Sequence, residues 1–357
     1  MNRTLKAFLQ FALFLSIGLA IVAWIYVKIS GDYTADCLAN GGTECSFLKK
    51  IKGDFATVRL PWIGLIIGLF MLSNISRATR WTMLVRALGY RPSKVNAFLT
   101  VMIGYLANMG LPRMGEFVRA GSFSRYEKIP VDRVMGTIVT DRIFDVLALL
   151  IFFFLALIVE FDMFGGYLAR HAVIPAFGGI AGGWLFLVGL GLFFLGIFYR
   201  RRLIGIFPAA IAMKIRGLRR GLWEGISSVK KLHSPVAFAG HSALIWILYF
   251  SMSWLCFYAF PPTSALGVKE GLIVFVFGSL GMVIPTPGGL GSYHYLVMVA
   301  LGLYGISEAD SFSFAFILYL SVAILCNVLF GLLALILLPL YNRNRHQPVQ
   351  YDGTGTN

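Results

Sequence analysis

Long apolar runs dominate the chain, at about residues 7–27, 60–76, 134–159, 176–199, 237–260 and 312–340. Each is near or above the roughly 17–25 apolar residues that carry an α-helix across a bilayer. The pattern predicts an all-α polytopic membrane protein with about six full spans. Two further apolar stretches break that plan. Residues 95–111 run into Leu111-Pro112-Arg113-Met114-Gly115-Glu116, and residues 271–303 are interrupted by Pro285-Thr286-Pro287-Gly288-Gly289-Leu290-Gly291. Proline lacks an N–H and glycine lacks a Cβ, so neither string continues a helix.

The polar residues between the runs set an orientation. Arg3 and Lys6 precede the first run, and Arg77, Arg80, Arg86, Arg91 and Lys94 follow the second. Arg113, Arg119, Arg125, Lys128 and Arg133 follow the first broken stretch, a dense cluster from Arg200 to Lys231 follows the fourth run, and Arg343 and Arg345 follow the last. An excess of Lys and Arg marks cytoplasmic loops. The opposite loops hold Asp32, Asp36, Glu44, Asp54, Glu160, Asp162, Glu308 and Asp310, together with Lys49, Lys50 and Lys52. Basic clusters flank residues 95–111 on both sides, so this stretch is expected to enter and leave from the cytoplasm as a re-entrant hairpin. The flanks of 271–303 are base-poor, so the second hairpin is expected from the other side. A pair of full crossings is the alternative.

A span, a hairpin and a span thus occur over 60–159, and again over 237–340 in the opposite orientation. That is an inverted repeat, a plan common in transporters. The expected organisation is one transmembrane domain over 1–345, an extracytoplasmic loop at 30–58 and a flexible cytoplasmic tail at 346–357. Both termini fall in the cytoplasm. Within 203–232, Ile211, Ile215, Leu218, Leu222, Ile226, Val229 and Leu232 recur at three- or four-residue spacing opposite Lys214, Arg219, Arg220, Lys230 and Lys231. This predicts an interfacial amphipathic helix on the cytoplasmic leaflet; an ordinary basic loop is the alternative.

Composition narrows the class. The chain is 58% hydrophobic and 13% charged, against about a quarter charged in soluble domains. Its formal charge of +15, from 31 basic and 16 acidic residues, lies in loops between apolar runs and calls for no nucleic-acid partner. The first run has no small-residue cleavage site before Lys28, so no removed signal peptide is expected. Cys256 and Cys326 sit in apolar runs as packing residues. Cys37 and Cys45 share one polar loop, either as a disulfide or as two free thiols.

Three strings carry candidate chemistry. In the first, Pro112 and Gly115 allow a sharp break, Glu116 and Arg119 would share a helical face, and Asn108 lies just before them at membrane depth. In the second, Asp141, Arg142 and Asp145 open an otherwise apolar span. Charges inside a membrane are costly and usually face a bundle interior or a watery path; a structural salt bridge near the interface is the plain alternative. Both signs of charge together suit a zwitterionic or amphiphilic ligand. In the third, Pro285, Pro287, Gly288, Gly289 and Gly291 leave backbone groups that protein, water or ligand must satisfy. His294 follows; such a histidine is first a packed hydrogen-bonding residue and second a titrating contact.

There is no P-loop, no HExxH, no zinc spacing and no GxSxG elbow, and no nucleophile–base set stands out. No cofactor is expected. Arg77-Ala-Thr-Arg80-Trp81, residues 111–120 (LPRMGEFVRA), 141–145 (DRIFD) and 284–294 (IPTPGGLGSYH) occur in that order. Together they resemble the flippase-like transmembrane region of lysylphosphatidylglycerol synthases, the UPF0104 group, over nearly the whole chain. The resemblance implicates Arg77, Arg80, Arg113, Glu116, Arg119, Asp141, Arg142, Asp145, Pro287, Gly288, Gly289 and Gly291. Two departures qualify it. The chain ends at Asn357 without the synthases' aminoacyl transferase domain, so it is not expected to aminoacylate lipid. His294 stands where the family often has Glu, which argues against assuming a lysyl lipid as cargo.

The resulting expectation is lipid translocation, or headgroup binding, in a bacterial-type cytoplasmic membrane. Its partners would be membrane lipids with a phospholipid or glycolipid headgroup, and a lipid-modifying enzyme is a candidate protein partner. The alternatives are an intramembrane enzyme or enzyme partner acting on a phospholipid or polyprenyl-linked glycolipid, and a small-solute transporter.

Overall fold

The computed structural model describes residues 3–110, 114–160, 223, 227–284 and 286–343. Every regular element among them is helical. The first helix, α1, spans Arg3–Ala39, α2 Phe47–Ala56 and α3 Leu60–Arg86. They are followed by α4 at Lys94–Gly110, α5 at Gly115–Glu127 and α6 at Val131–Val159. After a 3-10 turn at Ser228–Lys231 come α7 at Pro235–Ala259, α8 at Val268–Val283 and α9 at Ser292–Gly302. The last helical rod begins with α10 at Glu308–Tyr319, passes through a π-helical segment at Leu320–Cys326 and ends with α11 at Asn327–Asn342.

Five of these rods are long and apolar enough to cross a membrane: Leu15–Ala39, Leu60–Arg86, Val131–Val159, Pro235–Ala259 and Glu308–Asn342. They match five of the expected spans. The run at 176–199 and nearly all of the amphipathic stretch at 203–232 lie outside the described residues.

Local chemistry explains the helix starts. Ser46, Ser234 and Ser307 each accept a backbone N–H three residues on, from Lys49, Ala237 and Asp310. Such caps satisfy donors that have no partner inside the helix. At the start of α8, Glu270 reaches back to accept the N–H of Gly267 at 2.8 Å.

Two regions depart from the sequence expectation. The loop expected at 30–58 is largely helical: α1 continues to Ala39, and α2 covers Phe47–Ala56. A helix needs apolar residues only where it meets lipid, so α1 carries Asp32 and Asp36 on its extension. The Cys37–Cys45 disulfide, with Cα atoms 5.6 Å apart, joins the end of α1 to the start of α2. Phe47 then packs with Ile25, Ile29 and Phe312 in a small second core. Lys50 bonds Asp54 at 2.6 Å and Asp310 at 2.7 Å, Lys28 pairs with Glu308, and Lys49 pairs with Glu44. The second departure concerns Arg77 and Arg80. They do not sit in a loop after the second span but inside α3, which runs on to Arg86.

The helices pair in a regular way. α3 packs along α7; α4 packs on α5, and α8 on α9. α4 also lies against α11, while α8 lies against α6. Each short pair closes at a small residue. A Cβ on Gly115 would strike the Gly104 carbonyl and the Asn108 side chain, and one on Gly281 would come within 2.7 Å of the Tyr293 Cα. A polar clasp joins α4 to the end of α11. Asn96 and Asn342 exchange amide hydrogen bonds at 2.9 and 2.7 Å, and Asn96 also donates to the buried Glu127.

Candidate functional site

α3 carries Arg77 and Arg80 three residues apart on one face, and α6 presents Asp141 and Asp145 one turn apart. Packed together, the two helices form an interlocked group. Arg77 donates to Asp145 at 2.7 Å and to Asp141 at 3.3 Å. Arg80 donates to Asp141 at 2.6 and 3.0 Å and to Asp145 at 2.8 Å. Arg80 and Asp141 are fully buried. A buried charge is tolerated only when paired and hydrogen-bonded, and this group meets that condition from both sides.

α5 adds the remaining charges. Glu116 meets Arg142 at 2.9 Å, and Arg142 also reaches Asp145 at 3.5 Å. Arg119 lies 3.5 Å from Asp141, and its guanidinium stacks 3.7 Å from the centre of the Trp81 ring. That ring is held by its own N–H, which donates to Thr137 at 3.0 Å. Glu116 and Arg119 therefore share a face, as their spacing predicts, but each pairs with α6 rather than with the other. Among the described residues, four guanidiniums face three carboxylates, an excess of one positive charge.

The cluster opens onto a cavity of about 570 Å³. Arg77, Glu116, Arg142 and Asp145 line one end; Arg80, Arg119 and Asp141 form a layer behind them. Aromatic side chains make much of the wall, including Tyr105, Trp246, Tyr249, Phe275 and Tyr319. Tyr249 accepts from Arg77 at 3.3 Å and touches the Tyr105 hydroxyl at the same distance. Asn108 also lines the cavity, and its carbonyl oxygen accepts the Gly115 N–H at 2.7 Å, fixing the start of α5.

The turn after α8 closes the other end. Gly288, Gly289 and Gly291 adopt φ of 59°, 79° and 85°, which side chains other than glycine's rarely do. Thr286, Gly288 and Gly289 line the cavity, whereas Pro287 is buried. Gly291 instead faces α1, where a Cβ would come within 2.8 Å of Ile21. His294 does not reach the cavity. It is fully buried, its Nδ1 accepts the Gly291 N–H at 3.4 Å, and its ring packs 4.1 Å from Phe316 and 4.5 Å from Tyr319. Arg113 and Pro285 lie outside the described residues.

The sequence pattern did not single out Tyr105, Trp246, Tyr249 or Asn327 as lining residues. Asn327 alone left a signal, as an amide inside the apolar run 312–340. The aromatic residues did not, because one in a span is more often packing.

Residues 47–331 match the model of the lysylphosphatidylglycerol synthase transmembrane region. The chain belongs to that family. Among relatives of the lysylphosphatidylglycerol synthase transmembrane family is a UPF0104 membrane protein of Methanocaldococcus jannaschii, 22% identical over 288 residues, 72% of this chain and 80% of the relative. A UPF0104 membrane protein of Methanothermobacter thermautotrophicus is 26% identical over 295 residues, 74% of this chain and 80% of the relative. No solved structure matches the chain significantly. The matched region contains every described charged residue of the cluster.

Proposed function

We propose that this protein binds lipid headgroups and moves them across the cytoplasmic membrane, as a flippase would. The observation that carries this reading is a charged pole of both signs inside a largely aromatic and aliphatic cavity. Arg77 lies nine residues from the end of α3, about 14 Å along its axis. Asp145 lies fourteen residues from the start of α6, about 21 Å. Charges at that depth of a roughly 30 Å hydrocarbon core are expensive and mark a ligand path more often than a scaffold. Val146, Val283 and Ile284 are exposed apolar residues that also line the cavity, a suitable surface for acyl chains. The family model's description names a synthase of a phospholipid, which fits a lipid cargo.

The short helix pairs are re-entrant in this reading. α4, α5, α8 and α9 have 17, 13, 16 and 11 residues, or roughly 26, 20, 24 and 17 Å at 1.5 Å per residue. None reaches across a roughly 30 Å core. Their tips meet where Gly288 approaches Met109. The helix pairing supports an inverted repeat, because exchanging α3–α6 with α7–α11 maps α4 on α11 into α8 on α6. The disulfide suits an oxidising compartment outside the cytoplasm, which supports an N-terminus on the inner side. Rocking of the two units would alternate access to the charged pole.

The test is a fluorescent-lipid assay in proteoliposomes, read by dithionite quenching of the outer leaflet. Faster exchange with protein than without, for at least one headgroup, is expected. Equal rates for every headgroup would sink the translocation reading. Chemical conversion of the lipid would instead favour the enzyme alternative.

A further inference from the structure

The charged pole has more positive than negative groups, and its hydrogen bonds are uneven in the same direction. Four guanidiniums face three carboxylates among the described residues. Three guanidinium nitrogens, Arg119 Nε and Nη2 and Arg142 Nε, are buried without a partner, against one carboxylate oxygen, Glu116 Oε2. Native proteins keep few buried polar atoms unpaired, and a buried charge persists where another group pairs with it.

The imbalance is concentrated at Arg119, whose residue is only 3% exposed. Trp81 covers one face of its guanidinium at 3.7 Å, and Nη1 reaches Asp141 at 3.5 Å. The Nε–H and Nη2–H lie side by side on the remaining edge, and both are free. Together they form the flat fork with which arginine grips an anion through two parallel hydrogen bonds. This edge selects by sign. A guanidinium offers donors and no acceptor, so an ammonium group or a metal ion finds nothing to bind there.

Position limits the ligand further. Arg77, Glu116, Arg142 and Asp145 line the cavity, whereas Arg119 stands behind them and does not. Its stem runs past Gly104 of α4, where a Cβ would come within 3.3 Å of the Arg119 Cβ. Neither free nitrogen is open to solvent. The ligand must therefore be small, and the side chains over the edge must part to admit it.

We propose that the Arg119 edge binds one small inorganic monoanion, with chloride as the type case, in a site separate from the cavity. The ion accepts the two free N–H groups and supplies the negative charge that the three carboxylates lack. The proposal does not depend on lipid transport. A lipid phosphate shares the same chemistry, so the test separates the two sources.

Equilibrium dialysis of the full chain in neutral detergent against radiolabelled chloride, with gluconate as the balancing anion, is that test. Saturable binding of one ion per chain is expected. Arg119→Lys keeps the charge and loses the fork, so affinity should fall about tenfold, the order of one charged hydrogen bond. Glu116→Gln removes a negative charge and leaves the edge intact, so affinity should rise severalfold. That gain keeps the proposal testable if Arg119→Lys does not fold. Absence of saturable binding overturns the proposal. So does binding that is unchanged in Arg119→Lys, which marks an adventitious ion only, or not tightened in Glu116→Gln. Saturating dihexanoyl phosphatidic acid should leave one chloride bound per chain. Displacement of the chloride would give the edge to a lipid phosphate and overturn the separate site. Chloride binding in a protein that exchanges no lipid would leave this proposal standing while the flippase reading fails.

Discussion

The two helix pairs, α4 with α5 and α8 with α9, are built by one device and used in opposite ways. In each, a glycine lets the second helix press directly on the first, at Gly115 and at Gly281. The first pair then brings Asn108, Glu116 and Arg119 to the charged cluster. The second brings no charged side chain to the cavity among the described residues; it supplies glycines with positive φ and the Thr286 side chain. Its histidine, His294, turns away to cap its own helix. Similar scaffolds need not share chemistry: one pair sets charge, the other sets shape.

The largest expected effect is at the charges that the first pair leans on. Asp141→Ala leaves Arg80 with Asp145 as its remaining carboxylate partner and weakens the holds on Arg77 and Arg119. Removing one partner of a buried ion pair costs about 3–5 kcal/mol. Thermal unfolding in detergent should show the loss, and Asp141→Leu with Arg80→Met should recover part of it. An unchanged unfolding midpoint in Asp141→Ala would mean the cluster is not structural.

The next effect tests the shared device. Gly115→Ala and Gly281→Ala each place a methyl where backbone already sits, and overpacking of this kind costs about 1–3 kcal/mol. Comparable losses in the same unfolding assay support the equivalence of the two pairs. A loss in one alone breaks it.

Function should separate the pairs where stability does not. Glu116→Gln weakens the contact with Arg142 and alters the cavity wall, so lipid exchange should fall about tenfold, the order of one charged hydrogen bond. His294→Gln can keep an acceptor for the Gly291 N–H and does not touch the cavity, so exchange should change less than about twofold. A large loss in His294→Gln would return that residue to the site.

The smallest effect lies outside the apolar core. Burial lowers the Lys50 pKa, but hydrogen bonds and charge from Asp310 and Asp54 outweigh it and hold the group above its ordinary 10.5. A raised lysine pKa contributes stability that is fully present below 10.5 and is lost as pH rises through the shifted value. Lys50→Met should therefore cost less than about 1 kcal/mol near neutral pH, as partly exposed pairs do. The difference from the unaltered protein should vanish in strongly alkaline buffer.

Much of this molecule was legible in its linear pattern. Apolar run length located five long helices, because hydrocarbon thickness demands a minimum length. Proline and glycine located both breaks, because their backbone limits act locally. Residues one turn apart, such as Asp141 and Asp145, could be assigned a common face. The partners could not. Arg77 and Arg80 resembled loop cations because they follow an apolar run; only the carboxylates of α6, more than sixty positions away, show why α3 continues past them. Nor could spacing aim Glu116 at Arg142, turn His294 from the cavity, or bring Trp246 and Asn327 to one wall. Periodicity and composition are properties of neighbours in sequence, so the chain alone determined the helices and their breaks. Pairing of buried charge depends on neighbours in space, and tertiary packing alone decided which residues form the site.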